Sequence, residues 1–312
     1  MNVVDQESLM TKDIHHFDCA KLARYLEASI PGFKGPLVAT KFAGGQSNPT
    51  FLLGAASGRY VLRRQLPGEL LKSAHAVDRE FRVLVALAGT AVPVPRAYHL
   101  CADRDVIGSM FYVMGFAEGR IFWDPALPEL DRSARAPIYS AIVETLAALH
   151  NVDVDAVGLA DYGRAGNYFE RQIGVWTKQY RASETERLAA METLIEWLPA
   201  NCPHDEGPPS LVHGDFRIDN LIFAAVDPKI IAILDWELST LGNPLADLAY
   251  FCMCLRLPSV GHIPGLLGKD RGELGVPDED AIVRRYCELR GIPAIAHWNF
   301  YLAFSFFRLA AI

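Results

Sequence analysis

The chain has 312 residues, of which 51% are hydrophobic and 21% charged, and its formal net charge at pH 7 is −7. This length suits two lobes that share a cleft, and the composition is that of a globular protein rather than a disordered one. The basic residues are scattered along an acidic chain, so we expect no nucleic-acid partner.

The first thirty residues are acidic and contain no apolar run, so we expect no secretory signal. The longest apolar stretch, around Tyr301 to Phe307, is too short to span a bilayer, and we expect no membrane partner. These features predict a cytoplasmic protein with reduced thiols, in which Cys252 and Cys254 are buried and structural. The last residues lie in an apolar helical run without a capping signal, which is compatible with a native chain that continues beyond residue 312.

The N-terminal third predicts a small lobe. An amphipathic pattern predicts a helix from Asp18 to Ser29, and a second helix is predicted from Ser73, a candidate N-cap, to Leu87. Five β-rich segments predict antiparallel strands, at Leu37 to Ala43, Thr50 to Ala55, Arg59 to Gln65, Ala97 to Ala102 and Met110 to Met114. Residues 1–117 are therefore predicted to form a small lobe with a five-stranded antiparallel sheet plus a helix.

After Gly119 the pattern changes to longer helices, predicted at Ser133 to His150, Tyr168 to Arg181 and Glu184 to Leu198. Three short apolar strands follow, at Leu211 to His213, Leu221 to Ala224 and Ile230 to Leu234. Residues 118–312 are therefore predicted to form a larger, mostly helical lobe that holds the catalytic and substrate-binding residues. The predicted fold class is α+β.

Polar side chains lie on the turns between these short strands. The run His213 to Asn220 reads HGDFRIDN and places Asp215 five residues before Asn220; Asp235 follows a buried strand fifteen residues later. A hairpin would bring Asp235 back beside the first turn. Phosphoryl transfer needs one carboxylate to orient the attacking hydroxyl, and an amide oxygen plus a second carboxylate to hold Mg²⁺ on the phosphates. Aspartates after strands also occur as ordinary turn formers, but the combination favours catalysis.

The pattern HxDxxxxN followed by LDWE resembles the aminoglycoside-phosphotransferase and choline-kinase superfamily, whose members are relatives of protein kinases. The resemblance implies a bilobal protein-kinase-like fold and an ATP-dependent phosphotransferase that acts on an alcohol group, with Mg²⁺ as cofactor. It implies that Asp215 is the catalytic residue and that Asn220 and Asp235 bind the metal. It assigns His213 and Asp247 to the support of the catalytic loop.

The same resemblance implies that the small lobe, residues 1–117, binds ATP. Gly44, Gly45 and Ser47 lie where a phosphate-covering loop belongs, because glycines let backbone amides approach phosphate oxygens. Arg63 stands where the family has a phosphate-contacting lysine, and Glu80 is its expected ion-pair partner. Both could instead be solvated surface residues, and the adjacent Arg64 is a competitor that would point to the other face of the strand.

The segment from Met114 to Ala117 resembles the hinge of the family. Met114 would be the gatekeeper, and the backbone groups of Phe116 and Ala117 would bind adenine.

Three segments, at residues 60–64, 73–81 and 238–244, look particularly like the kinase-like domains associated with acyl-CoA dehydrogenases. This resemblance favours a hydroxyacyl compound, such as a hydroxyacyl-CoA, as the small-molecule substrate, and a functional association with acyl-CoA metabolism. The alternatives are an aminoglycoside kinase and, from a different class, a nucleotide-binding pseudokinase. The sequence leaves the oligomeric state open, a homodimer included.

An apolar and aromatic series follows Asp247. It would suit an acyl chain if it lined a pocket, and it would equally well form the packing core between helices. The series consists of Tyr250, Phe251, Met253, Leu255, Leu257, Trp298, Phe300, Tyr301, Phe304 and Phe307.

Overall fold

The structure, a computed structural model, describes residues 17–42, 48–66, 77–164, 166–204 and 207–312. The chain divides into two compact units, one formed from residues 1–85 and 95–116 and the other from residues 86–94 and 117–312. The first unit contains a sheet and the second is mostly helical, so the predicted α+β fold is confirmed. Within the described ranges, no helix is both long and apolar enough to cross a membrane.

The first unit is built on a five-stranded sheet in which every neighbouring pair is antiparallel, in the order β1-β2-β3-β5-β4. Its elements are α1 (Cys19–Ser29), β1 (Leu37–Lys41), β2 (Thr50–Ala55), β3 (Gly58–Arg64), α2 (Val77–Leu87), β4 (Ala97–Cys101) and β5 (Phe111–Gly115). The predicted strands are therefore present, with ends shifted by one or two residues. The proposed N-cap Ser73 lies outside the described residues.

The core of this unit forms where one face of the sheet meets α1. Leu53, Leu62, Phe111 and Val113 have no exposed surface there. Each such side chain contributes about 1.5–3 kcal/mol on burial, which is why the alternating apolar pattern of the strands sets the register. At the start of α1, the Asp18 carboxylate accepts hydrogen bonds from the backbone amides of the first turn, as an N-cap residue does.

Within the described residues, the second unit contains seven α-helices and two small antiparallel sheets. Its elements are α3 (Arg132–His150), α4 (Tyr168–Ser183), α5 (Ala189–Ala200), β6 (Ser210–Val212), β7 (Leu221–Phe223), β8 (Ile230–Ile233), β9 (Thr240–Gly242), α6 (Leu245–Leu255), α7 (Arg271–Leu274), α8 (Glu279–Arg290) and α9 (Trp298–Ala310). Strand β6 pairs with β9, and β7 pairs with β8 in a hairpin. These pairs bring the polar turns of the sequence to defined positions.

Two sequence predictions in this unit were wrong in detail. The helix predicted from Glu184 begins only at Ala189, because Glu184 has extended backbone angles at the end of α4. Its carboxylate instead pairs with Arg181, 3.1 Å away. Strand β9 was not predicted, because three residues are too short to show a strand periodicity.

The apolar series after Asp247 forms packing core between α6 and α9. Phe251, Met253, Phe304 and Phe307 are at most 1% exposed. Of the two interpretations of this series, the structure supports the core for most members, although Phe251 and Leu255 also line a small pocket. Cys252 and Cys254 are buried free thiols, as predicted.

Candidate active site

The loop between β6 and β7 begins with a backbone turn that requires glycine. Gly214 has φ of +87°, and a Cβ atom there would lie 2.6 Å from the carbonyl oxygen of Leu238. A side chain at this position would be strained both by the left-handed conformation and by contact with the backbone. The turn directs the chain into Asp215, the predicted catalytic residue.

A buried carboxylate on α6 holds this turn in place. Asp247 is fully buried, and its two oxygens accept hydrogen bonds from the backbone amides of His213 and Gly214, at 2.6 Å and 2.8 Å. This is the contact that the resemblance implies for Asp247. Because hydrogen bonds from amides to a buried carboxylate are charge-assisted, they stabilise the loop more than neutral pairs would.

Two residues that the sequence analysis missed complete this anchor. The Nε2 atom of His150, at the end of α3, lies 3.2 Å from Asp247, and its Nδ1 lies 2.7 Å from the hydroxyl of Tyr286 on α8. Burial lowers the pKa of His150, so the ring is neutral. It therefore donates its Nε2–H to Asp247 and accepts the proton of Tyr286.

The charge of Asp247 is maintained despite its burial. Burial alone would raise the pKa of Asp247, but the hydrogen bonds from His150 and from the backbone amide of Gly214 oppose it, and the pKa lies below its usual value. The neutral His150 and the ionised Asp247 thus form a stable pair that links α3, α6 and α8 to the catalytic loop.

His213 connects the two acidic turns. Its side chain is buried, its Nε2–H donates to the carbonyl oxygen of Leu234 at 2.8 Å, and its Nδ1 accepts the backbone amide of Asp215 at 3.2 Å. Its ring also lies 4.7 Å from that of Trp236. Because both ring nitrogens form hydrogen bonds with backbone atoms, His213 has a structural position rather than that of a base.

Asn220 is oriented by the predicted catalytic carboxylate. Its Nδ2 donates to the backbone oxygen of Asp215 at 2.8 Å and to the carboxylate Oδ2 at 3.0 Å. Because the amide nitrogen is committed to Asp215, the amide oxygen Oδ1 points the other way, as a metal-binding oxygen would need to.

An arginine that the sequence analysis did not single out lies between two acids of this loop. The Nε of Arg217 is 3.2 Å from Oδ1 of Asp215, and its Nη2 is 3.2 Å from Oδ2 of Asp219. Burial lowers the pKa of Arg217, but the two carboxylates outweigh it and the pKa is raised. Burial raises the pKa of Asp219, against the opposing charge of Arg217. The signal in the sequence was a basic residue flanked by acids in the motif.

Asp235 follows the end of β8 in an unusual backbone conformation. Its φ and ψ are both 64°, in the left-handed region, which is uncommon for residues other than glycine and asparagine. The β7–β8 register pairs Leu221 with Ile233, and the amide of Leu234 donates to the carbonyl of Asn220 at 2.8 Å. The hairpin thus brings Asn220 and Asp235 to the same end of the sheet, as the sequence predicted for a hairpin.

This donor set fits Mg²⁺. The ion takes oxygen ligands and is usually held by one or two carboxylates, with water and substrate phosphates completing its shell. Asp235 and the Oδ1 of Asn220 supply oxygens of that kind. Within the described residues no group of three or more His, Cys, Asp or Glu side chains is placed to hold a metal. Phosphates and water would supply the other ligands of an ion at Asn220 and Asp235.

In the first unit, Arg63 forms the expected ion pair with Glu80. The Nε of Arg63 lies 3.0 Å from Oε2 of Glu80, whose side chain is 1% exposed, whereas that of Arg63 is 11% exposed. Glu80 also accepts hydrogen bonds from Asn48 and from the hydroxyl of Tyr112. The carboxylate is thus fixed on α2 and holds Arg63 on the face of β3 that points away from the α1 core.

Arg64 occupies the opposite face of β3. It is 2% exposed, its Nε donates to Ser109 at 3.0 Å, and its guanidinium lies over the ring of Phe17. Burial lowers the pKa of Arg64. Because Arg64 is buried in the core of the first unit, it is less available than Arg63 for contact with phosphate.

The remaining predicted nucleotide residues fall into two groups. Met114 is buried on β5, and Phe116, one residue beyond the strand, lies under the guanidinium of Arg59 at 4.5 Å; Ala117 follows it, half-buried. Gly44, Gly45 and Ser47 lie outside the described residues.

Residues 38–280 match the model of the phosphotransferase enzyme family. Among curated proteins, acyl-CoA dehydrogenase family member 10 of Mus musculus is 49% identical over 293 residues, which are 93% of this chain and 27% of that protein. Acyl-CoA dehydrogenase family member 11 of Homo sapiens is 42% identical over 304 residues, covering 96% of this chain and 39% of that protein. The chain thus spans about a third of the length of these relatives.

Solved structures are also similar. A Ralstonia eutropha JMP134 protein, provisionally named an aminoglycoside phosphotransferase, has a TM-score of 0.86 and 46% identity, over 95% of this chain and 87% of that one. The aminoglycoside phosphotransferase APH(4)-Ia, in a ternary complex with AMP-PNP and hygromycin B, has a TM-score of 0.60 and 17% identity, over 92% of this chain and 88% of that one. The second likeness shows the fold alone.

Proposed function

Because this chain belongs to the phosphotransferase enzyme family, we propose that it transfers the γ-phosphoryl group of ATP to a hydroxyl of a small molecule, with Mg²⁺ as cofactor. The observation that carries the proposal is the arrangement in the second unit. Asp215 is fixed between Asn220 and Arg217, while Asp235 lies at the end of the hairpin next to Asn220. Such a set suits phosphoryl transfer, which depends mainly on positioning and charge neutralisation.

Asp215 would orient the acceptor hydroxyl. Its Oδ2 accepts a hydrogen bond from Asn220, and its Oδ1 lies 3.2 Å from the Nε of Arg217 in an ion pair, so both oxygens of the carboxylate have a positioned partner. As the hydroxyl oxygen bonds to the γ-phosphorus and the bond to the bridging oxygen breaks, Asp215 accepts the proton of the hydroxyl.

Asn220 and Asp235 would hold Mg²⁺, which neutralises charge on the β- and γ-phosphates when bound. Arg63 would contact phosphate oxygens in the first unit. Its pairing with the buried Glu80 keeps the guanidinium in a fixed position, and its planar fork matches phosphate oxygens.

For the acceptor, a hydroxyacyl compound is our proposal, with a hydroxyacyl-CoA as the leading candidate. Two observations support it. The curated relatives are named acyl-CoA dehydrogenase family members. A mostly apolar pocket also adjoins Arg217 and Asp219 of the catalytic loop. Its other lining residues are Trp123, Pro125, Ile218, Phe251, Cys254, Leu255, Ile263 and Pro264.

The lining of this pocket is apolar, but its volume of about 20 Å³ holds little more than one water molecule, so it marks an apolar surface beside the loop rather than a cavity for a whole acyl chain. Trp123 lies at the edge of the pocket and is 67% exposed, so its ring is available for contact with an apolar substrate.

The proposal is tested by transfer of label from γ-labelled ATP with Mg²⁺ to two acceptor pools, hydroxyacyl-CoAs and aminoglycosides. We expect label in the hydroxyacyl pool. Label in the aminoglycosides alone would replace the acceptor that we propose. If ATP binds and neither pool is labelled under any condition, the pseudokinase alternative gains support.

The variant Asp215→Asn is the matched test of the chemical step. The amide keeps the size of the side chain but cannot take the hydroxyl proton, so turnover should fall about 10³-fold while Mg-nucleotide binding stays unchanged. Single-turnover label transfer and nucleotide titration measure the two quantities separately. Full turnover by Asp215→Asn would show that the catalytic assignment is wrong.

A further inference from the structure

Arg308 lies near the end of α9, buried between two aromatic rings of other helices. Its guanidinium carbon lies 5.4 Å from the ring centroid of Trp176 on α4 and 5.2 Å from that of Tyr250 on α6. The residue is only 5% exposed. A cation is therefore held in place by rings on both neighbouring helices.

Within the described part of the chain, no carboxylate lies within ion-pair distance of Arg308, and its buried Nε has no hydrogen-bond acceptor. Burying an ion without a counter-ion costs several kcal/mol, and a cation–π contact returns only about 2 kcal/mol even when desolvated. The Nε of Arg217 also makes no hydrogen bond, but Arg217 differs because two carboxylates lie within ion-pair distance of it. Arg308 thus keeps a strong electrostatic preference for an anion.

Tyr250 places this unpaired cation near the catalytic loop. It lies on the same face of α6 as Asp247, three residues earlier, which bonds the loop. Burial raises the pKa of Tyr250; the charge of Asp215 raises it further, while Arg217 and Arg308 oppose both. The ring of Tyr250 thus contacts Arg308, and the same face of its helix carries the aspartate that anchors the catalytic loop.

Cys254 lies one turn further along the same face of α6. Burial raises the pKa of its thiol to about 12; Arg217 and Arg308 act against this, and Asp215 adds to it. Two positions on one helix face thus lie between the catalytic loop and Arg308. Cys254 also lines the small pocket that adjoins Arg217 and Asp219, so an acceptor bound at the catalytic loop would lie beside this helix face.

We infer that Arg308 binds an oxyanion of the acceptor, a carboxylate or a phosphate, at a distance from the hydroxyl that Asp215 orients. This inference rests on the proposed function for the identity of the acceptor site. A bound oxyanion would supply the missing partner of the guanidinium through charge-assisted hydrogen bonds. The same unpaired charge disfavours a polycationic acceptor, so it would select substrates by repulsion as well as attraction.

The test measures binding of two matched pairs of small alcohols by calorimetry, with and without saturating Mg–AMP-PNP. One pair is 3-hydroxybutyrate and its neutral methyl ester, and the other is glycerol 3-phosphate and glycerol. In the unmodified chain we expect at least one anion to bind about tenfold more tightly than its neutral counterpart. The pair that shows the larger preference distinguishes carboxylate from phosphate.

Three variants identify the residue responsible. Arg308→Gln should abolish the preference for the anion, and Arg308→Lys, which keeps the charge, should retain part of it. Arg285→Gln removes an exposed arginine of α8 and should leave the preference unchanged. Thermal unfolding and the Kd for Mg–AMP-PNP, measured for each variant, separate a lost anion contact from a lost fold.

Two outcomes overturn the inference: the unmodified chain shows no preference for either anion, or folded Arg308→Gln keeps the preference. In both cases the proposed function stands if Mg–AMP-PNP still binds and label is transferred. Conversely, a chain that does not bind Mg–AMP-PNP would contradict the proposed function, while the titrations without nucleotide would still decide the role of Arg308.

Discussion

A neutral histidine and an ionised aspartate lie side by side in the anchor of the catalytic loop. Burial keeps His150 neutral, while hydrogen bonds from His150 and from two backbone amides keep Asp247 charged. Each residue alone would be costly to bury. Together they satisfy each other, and they fix the backbone two residues from Asp215 without touching the reacting atoms.

The pair of His150 and Asp247 predicts that the free energy of unfolding depends on pH. The pKa of His150 is lowered from 6.5, so below about pH 6.5 the unfolded chain binds a proton there that the folded chain does not. The free energy of unfolding should therefore fall as the pH drops from 7.5 to 5.5. The lowered pKa of Asp247 acts in a more acidic window, because its contribution is lost only as the pH falls through the folded pKa, below 3.8.

The measurement is denaturant unfolding at pH 7.5 and pH 5.5. His150→Asn should lose less free energy of unfolding than the unmodified chain over this interval. His262→Asn, which removes an exposed histidine, should behave like the unmodified chain. An unchanged pH dependence in His150→Asn would mean that His150 is not held neutral by burial.

Arg63 supports a second prediction at the scale of a residue. Arg63→Ala should weaken ATP binding about tenfold, because a charge-assisted phosphate contact is lost, and the fold should be retained. Equilibrium titration of Mg–AMP-PNP measures the Kd. Lys41→Ala, an exposed cation of β1, is the control. If the Kd of Arg63→Ala is unchanged, the phosphate contact is made elsewhere.

At the scale of elements, short strands and the turn between them position the site. Strand β6 leads into Gly214 and Asp215, and the β7–β8 hairpin brings the turn after β8 next to Asn220. Each of these strands has only three or four residues. Their positions therefore depend on packing and on the turn geometry rather than on long hydrogen-bonded ladders.

A pair of glycine variants tests this dependence. Gly214→Ala combines a left-handed φ with a clash against the carbonyl of Leu238, so it should cost about 2 kcal/mol or more in stability and reduce turnover. Gly174→Ala lies in α4, where an added Cβ meets nothing within 4 Å, and should stabilise the chain by about 0.5–1 kcal/mol. Denaturant unfolding measures both; equal effects would contradict the requirement for glycine at Gly214.

At the scale of the whole molecule, ligand binding should couple to stability. A ligand that binds only the folded chain adds about 2.7 kcal/mol when present at about 100 times its Kd. If Asp235 holds Mg²⁺ on the phosphates, the stabilisation by AMP-PNP depends on Mg²⁺ through this side chain.

We therefore expect Mg²⁺ to increase the shift in melting temperature caused by AMP-PNP in the unmodified chain and to have no effect in Asp235→Ala. Asp227→Ala, an exposed carboxylate of the β7–β8 turn, should retain the effect. Thermal unfolding with AMP-PNP, with and without Mg²⁺, gives the comparison. A Mg²⁺-dependent shift that persists in Asp235→Ala would show that the metal is held by other residues.

Local sequence patterns determined many of the strands and turns of this chain. The five strands of the first unit follow from alternation and turn residues, and the β7–β8 hairpin follows from two apolar segments separated by a short polar one. The spacing from Asp215 to Asn220 and on to Asp235 predicted a shared turn region, because strand and hairpin geometry depends on residues that are close in sequence. The strand positions of Arg63 and Arg64 predicted opposite faces for the same reason.

The tertiary structure alone decided contacts between residues far apart in the chain. His150 lies 97 residues before Asp247 and 136 before Tyr286, and no local periodicity encodes which buried polar groups meet. Arg308 meets Trp176 and Tyr250 on two other helices for the same reason. Apolar spacing indicates that a helix face is buried but not which face covers it. For that reason only the packed structure distinguished a helix core from a pocket wall after Asp247.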